Sequence, residues 1–304
     1  MPRLLTSLSC SLLLFGSATT AAQAADDTPT AAAPAATAAQ AAPAGHGSST
    51  PQAEDEPADQ LLKAAGRDSG SGWIFGGGVA ATNPGYIGYS REVTPFPLVF
   101  YHNGRFFFAG ITAGYLLSNG DHYRFSLVVS PEFNRLSASD SPQLAGIQTR
   151  QWSIDGGAGL DVFGNWGRYN VSLVHDLLHR NNGTALNTSY HFSIPAGSWL
   201  ITPGIGVRWE DSNYTNYYYG VSPAEAIPGR PAYSPGSATN PFVDLSFSTP
   251  LSEHWQFRSS LIYLRFGGAI HDSPIVDRSG SPTIFIGFVY NPGENYRGTR
   301  GMGP

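Results

Sequence analysis

The sequence predicts an all-β chain folded as a transmembrane antiparallel up-and-down β-barrel. Three observations lead there: apolar and polar residues alternate with period two over segments of about ten residues, aromatic residues bracket those segments, and an export signal opens the chain. The stretch 199–210 is the clearest case. Trp199, Ile201, Pro203, Ile205, Val207 and Trp209 share one parity, and Leu200, Thr202, Gly204, Gly206, Arg208 and Glu210 the other. Ten residues at about 3.3 Å, tilted by about 40°, rise roughly 25 Å, the height of the apolar band of an outer-membrane barrel. A soluble sandwich also alternates, but its strands usually stop at about five or six residues.

From the N-terminus, residues 1–24 combine Arg3, an apolar run peaking at Leu12 to Phe15 and the small-residue ending Ala22-Gln23-Ala24. That pattern is a secretory signal peptide cleaved before Ala25. Cys10, the only cysteine, falls within it, so the exported chain is expected to contain neither disulfide nor thiolate metal site. Residues 25–70 are rich in Ala, Pro, Thr and Ser and carry Asp26, Asp27, Glu54, Asp55, Glu56, Asp59 and Asp68 against only Lys63 and Arg67. Such a segment cannot bury a core and reads as a disordered, acidic periplasmic arm. The barrel is assigned to 71–290. From Ser71 onward 14 arginines face 15 acids, a near balance that argues against nucleic acid as a partner. Outer-membrane lipid is the partner that the apolar faces require.

Alternation and turn residues place strands near 72–82, 93–102, 105–117, 122–134, 149–163, 167–179, 184–195, 199–210, 240–249, 255–266 and 282–290. Eleven is odd, whereas single-chain bacterial barrels close with an even number. Twelve strands are expected, with ten as the alternative, and the hidden strand is sought between Pro84 and Gly110, where prolines and glycine obscure the pattern. With the last strand ending in the periplasm, the short connections at 119–120, 164–166, 195–197 and 251–253 fall inside and the long ones at 135–148, 211–238 and 267–281 outside. Asn103-Gly104, which looks like a tight hairpin, falls on the wrong side in this count. Residues 291–304 read as a flexible, Gly-rich extension.

Parity turns Arg124, Asp155, Asp161, Arg208, Glu210, Asp244 and Asp176 toward the lumen, where they either pair across it or line a narrow polar passage. Tyr217, Tyr218 and Tyr219, with Tyr214, crowd the longest external loop, suited to binding a protein or glycan or to anchoring at the membrane interface. His271, Asp272 and Asp277 share another external loop. They are few for a hard-cation site, so a structured turn is preferred and no metal or cofactor is expected. Ser172 and Asp176 point opposite to His175 on a strand, which excludes a local catalytic triad, and no other catalytic residues are assigned.

The segments Arg91–Val99, Arg105–Phe108, Tyr217–Ser222 and Asp272–Asp277, in this order over 72–290, resemble the MipA/OmpV family of outer-membrane proteins, whose name comes from an MltA-interacting protein. The resemblance implies a non-enzymatic scaffold that joins a lytic murein transglycosylase to a murein synthase. The residues themselves also allow a small-solute channel, or an adhesin acting through 211–238.

Overall fold

A computed structural model describes residues 73–89 and 91–292. The signal peptide, the acidic arm and all but the first two residues of the C-terminal extension lie outside the described residues. The segments β1 (Trp73–Thr82), β2 (Glu92–Asn103), β3 (Phe106–Gly110), β4 (Thr112–Asn119), β5 (Tyr123–Glu132), β6 (Ser153–Gly164), β7 (Gly167–Asp176), β8 (Thr184–His191), β9 (Ile194–Ala196), β10 (Trp199–Glu210), β11 (Ala238–Pro250), β12 (Trp255–Arg265) and β13 (Gly280–Tyr290) form one antiparallel sheet. Pairing of β13 with β1 and of β10 with β11 closes it into a ring.

β8 and β9 are one wall strand interrupted at Phe192-Ser193. Both pair with β10 in a continuous register, His191 opposite Gly204 and Ile194 opposite Ile201. The interruption falls opposite Pro203, which has no N–H to donate to the ladder. Counted as wall strands the barrel therefore has twelve, the even number that closure demands.

The strand missing from the sequence count lies within 105–117, which is a hairpin rather than one strand. β3 turns back into β4 through Gly110-Ile111, with Ala109 opposite Thr112. Gly110 has φ +68°, the left-handed first turn position that two-residue hairpins give to glycine. This extra reversal also puts the turn at Gly104-Arg105 on the periplasmic side, which removes the conflict in the sequence count. Two other boundaries shift: 149–152 and 177–179 join external loops instead of strands.

Alternation is obeyed around the ring. On β10 and β13 the outward parity exposes Ile205, Ile284, Ile286 and Phe288, while Arg208, Glu210, Thr283 and Phe285 are buried inside. Trp73 stacks on Tyr101 at 4.1 Å, and Trp255 lies 5.1 Å from Tyr290, forming part of the periplasmic aromatic belt.

Candidate functional site

The largest apolar core among the described residues is not in the wall but in the external loops. Helix α1 (Ser212–Tyr219) begins at Asp211, whose carboxylate accepts the Tyr214 amide at 2.9 Å. It packs over the external mouth with Tyr86, Leu136, Leu144, Phe266, Ile270 and Ile275. Four loops thus share one core, and polar bonds lock them. The Tyr86 hydroxyl donates to Asn134 at 3.0 Å, and the Asn134 amide donates to the Tyr219 hydroxyl at 3.1 Å. The Tyr218 hydroxyl donates to the Gln151 carbonyl at 3.1 Å, while the Tyr217 hydroxyl accepts the Gln151 amide at 2.9 Å. Ser273 Oγ donates to the Tyr219 carbonyl at 2.6 Å.

Tyr218 and Tyr219, expected in an external binding loop, are therefore turned inward, at 0% and 6% exposure. Helical spacing explains it: residues four apart share a face, and Tyr214 and Tyr218 point together into the cap. Burial above all pushes the Tyr214, Tyr218 and Tyr219 hydroxyls above the ordinary tyrosine range, with the Glu132 carboxylate adding to it at all three and Glu210 at Tyr214 and Tyr219.

A second clamp joins two of these loops. Arg150 reaches Glu225 at 2.9 Å, and the Gln148 and Ser222 amides donate to the same carboxylate at 2.8 and 2.9 Å. Burial opposes the charge on Glu225, but the Ser222 and Gln148 amides and then Arg150 hold its carboxyl below the usual range. Arg230 donates to the carbonyls of Gln143, Ala145 and Glu225 at 2.8 to 3.0 Å, tying 142–145 to 225–230.

Beneath the cap the lumen charges pair. Arg208 bonds Glu132 at 2.7 Å and Glu210 at 2.5 Å, and Asn240 donates to Glu210 at 2.9 Å. Nearer the periplasm Asp161 accepts from Arg168 at 2.7 Å, from Arg124 at 2.9 Å and from Asn170 at 2.8 Å. His191 meets Asp244 at 3.0 Å, where Gly204, lacking a Cβ, leaves room for both side chains. Asp155 is buried inside the wall facing Ser130. The structure places all seven residues that parity turned toward the lumen inside; Arg124, Asp161, Arg208 and Glu210 make ion pairs there, and Asp244 hydrogen-bonds His191. Asp176 instead binds the amides of Leu178, Asn181 and Asn182 and the Ser153 hydroxyl, shaping the 177–183 turn.

Asp272 and Asp277 do not converge. Asp272 sits exposed beside His271 at 3.0 Å, and Asp277 accepts the Gly88 amide at 3.3 Å. Glu132, Arg168, Asn134 and the Arg150–Glu225 pair escaped the sequence reading. Glu132 and Arg168 had a signal, since Glu132 continues the lumen parity Arg124, Ser126, Val128, Ser130 and Arg168 shares that of Ser172 and Asp176; the others depend on loop packing. A small cavity of about 80 Å³ remains between cap and wall, lined by Glu132, Arg208, His191 and Asp244 on one side and Phe242, Ile262, Leu264 and Phe266 on another.

A closed twelve-strand barrel with an apolar exterior, aromatic rims and a polar, ion-paired interior is an outer-membrane protein. The model of the family "MltA-interacting protein MipA" matches residues 75–291, and the chain belongs to that family. It is 30% identical to the MltA-interacting protein of Escherichia coli strain K12 over 71% of this chain and 88% of the relative. It is also 30% identical to the putative outer membrane protein YiaT of the same strain, over 70% and 88%. The outer membrane protein OmpV of Vibrio cholerae is 28% identical over 48% of this chain and 57% of its own length. Among solved structures, the translocator domain of autotransporter NalP from Neisseria meningitidis aligns with TM-score 0.39 at 14% identity, covering 76% of this chain and 93% of that domain.

Proposed function

We propose that this chain is a non-enzymatic scaffold of the outer membrane, presenting its periplasmic face and acidic arm to peptidoglycan-remodelling enzymes, a lytic transglycosylase and a murein synthase. The observation that carries the reading is the lumen, capped outside by α1 and cross-braced inside by buried ion pairs. A barrel so filled is a poor conduit, and what it offers the cell wall is surface. The printed name of the Escherichia coli relative, an MltA-interacting protein, supports the same reading. The inward-turned Tyr218 and Tyr219 weigh against an adhesin acting through 211–238.

The test is crosslinking and affinity capture from intact envelopes, with the exported chain beside a form lacking 25–70. Recovery of a transglycosylase or murein synthase with the full chain and its loss with the shortened one supports the scaffold and places binding on the arm. Recovery in both supports the scaffold and places binding on the periplasmic turns. Recovery in neither refutes it. The cavity lined by Glu132, Arg208, His191 and Asp244 favours a narrow solute channel as the second reading. Stepwise conductance of the reconstituted chain in planar bilayers would establish that alternative.

A further inference from the structure

The barrel wall is incomplete on its external side. β2 pairs with β3 only from Val99 to Asn103, because β3 ends at Gly110, and β4 pairs with β5 only up to Val129. Above that level β1 flanks β2 and β6 flanks β5, but no ladder joins β2 to β5 among the described residues. From Val99 to Val93 is six residue steps, a height of roughly 15 Å at ordinary strand rise and tilt, about one leaflet of the hydrocarbon layer.

The edges of this notch are built to stay unpaired. Asn103 and Phe106 close a two-residue turn and so exchange both backbone bonds, which directs the polar groups of odd-numbered β2 residues toward β3. Pro95 and Pro97 are odd, so the N–H each lacks is one that would have faced the gap. On the other rim, Gly164 and Gly167 close the β6–β7 turn, which directs even residues of β6 to β7 and odd ones to β5; the Phe163 amide bonds the His122 carbonyl accordingly. The register then turns odd β5 residues toward β4, and Pro131 is odd. Three prolines thus remove three donors from the two free edges, the arrangement by which exposed strand edges avoid pairing.

Behind the notch the lumen is apolar. Phe96, Leu98, Phe100 and Phe285 are buried there in one cluster, with Ile111 and Phe133 packed against it. Phe96 on one rim meets Phe133, just past the other, edge-on with centroids 5.8 Å apart. Outward, Val93, Pro95, Pro97 and Val129 keep the opening within the lipid-facing band.

We propose that the notch is a lateral port, closed in this structure by the contact between Phe96 and Phe133, which admits an acyl chain of an outer-leaflet lipid to the apolar side of the lumen when those two rings part. Continuity with the lipid-facing surface identifies the occupant, and the missing donors exclude an added β-strand from another protein.

The test uses the full exported chain refolded in vesicles containing a phospholipid with a photoreactive diazirine midway along one acyl chain. Adducts on lumen-facing Phe96, Leu98, Ile111 or Phe133 are expected beside those on outward residues. The exported chain lacks cysteine, so Phe96→Cys with Phe133→Cys gives a closable gate. Oxidation should cut lumen adducts about tenfold and reduction restore them, with heat-modifiable migration confirming a folded barrel in both states. Adducts confined to outward residues, lumen labelling indifferent to gate closure, or crosslinks between two copies at this edge would each overturn the port. If the cysteine pair does not fold, the wild-type adduct map decides alone.

Discussion

Replacing Asp161 by Asn tests whether the lumen braces hold the barrel together. The carboxylate is buried at 5% exposure between Arg124 and Arg168, also buried at 5% and 7%. Both guanidinium groups bond it, each within 3 Å. At an effective dielectric constant of about 20, each attraction amounts to roughly 4 kcal/mol before desolvation. Asn keeps the shape and one acceptor oxygen but leaves two like charges facing each other, a change expected to destabilise the barrel by about 3 kcal/mol or more.

The assay is urea unfolding in lipid vesicles followed by tryptophan fluorescence, since the six tryptophans, at positions 73, 152, 166, 199, 209 and 255, all fall in the barrel segment. The midpoint should fall with the slope unchanged. Arg168→Met should lose less, about 1–2 kcal/mol, because Asp161 then retains Arg124. Replacing all three by Met should recover much of the loss, because no buried charge is left unpaired. A loss for Asp161→Asn within about 0.5 kcal/mol of wild type would refute the brace and indicate a lumen wet enough to solvate both arginines.

Four further outcomes follow from the geometry. Tyr218→Phe removes the bond to the Gln151 carbonyl and the acceptor of Asn181, and should raise hydrogen exchange in 211–237 by an amount corresponding to about 1–2 kcal/mol. Glu225 has its folded carboxyl below its unfolded value of about 4.3, so its contribution is full above that value and is lost as pH falls through the lower folded one; exchange protection of 211–237 should drop in that acid window and Glu225→Gln should abolish the dependence. Gly110→Val forces a β-branched residue to φ +68° and should destabilise the β3–β4 hairpin by about 1–2 kcal/mol or more, read as a lower urea midpoint. Exchanging 211–237 for a short Gly-Ser turn should unplug the mouth and raise bilayer conductance above that of the intact chain; unchanged conductance would place the block at the ion pairs instead.

How much of this was legible in the sequence depends on what physics each feature obeys. Wall strands follow a period of two imposed by lipid on one side and water on the other, so the parity of Arg124, Asp161, Arg208 and Glu210 could be read residue by residue. The hairpin inside 105–117 was harder to read because both of its strands are short; Phe106 and Phe108 hold even positions and Tyr115, opposite Phe106, an odd one, so the clues were that change of parity, Gly110 and the odd strand count. The cap was hidden for a different reason. Leu136, Leu144, Tyr218 and Ile275 are apolar residues scattered over loops with no period, and only their meeting in space makes them a core. Among the candidate site residues the lumen charges were accessible to parity, whereas the inward turn of Tyr218 required knowing that 212–219 is helical.

The four segments that carry the family resemblance converge on two neighbouring features. Arg91–Val99 supplies the β2 rim of the notch, with Pro95 and Pro97. Arg105–Phe108 opens the short strand that forms its floor. Tyr217–Ser222 ends the capping helix, and Asp272–Asp277 docks on that helix through Ser273 and buries Ile275 beside it. The segments behind the resemblance therefore shape chiefly the external half of this barrel and the gap in its wall, while most of the periplasmic turns lie outside them. A periplasmic enzyme would bind residues outside these segments, and a lipid at the notch would bind residues within them. The scaffold and the port can thus fail independently: losing the arm should leave acyl-chain labelling at Phe96 unchanged, and locking Phe96 to Phe133 should leave enzyme capture unchanged.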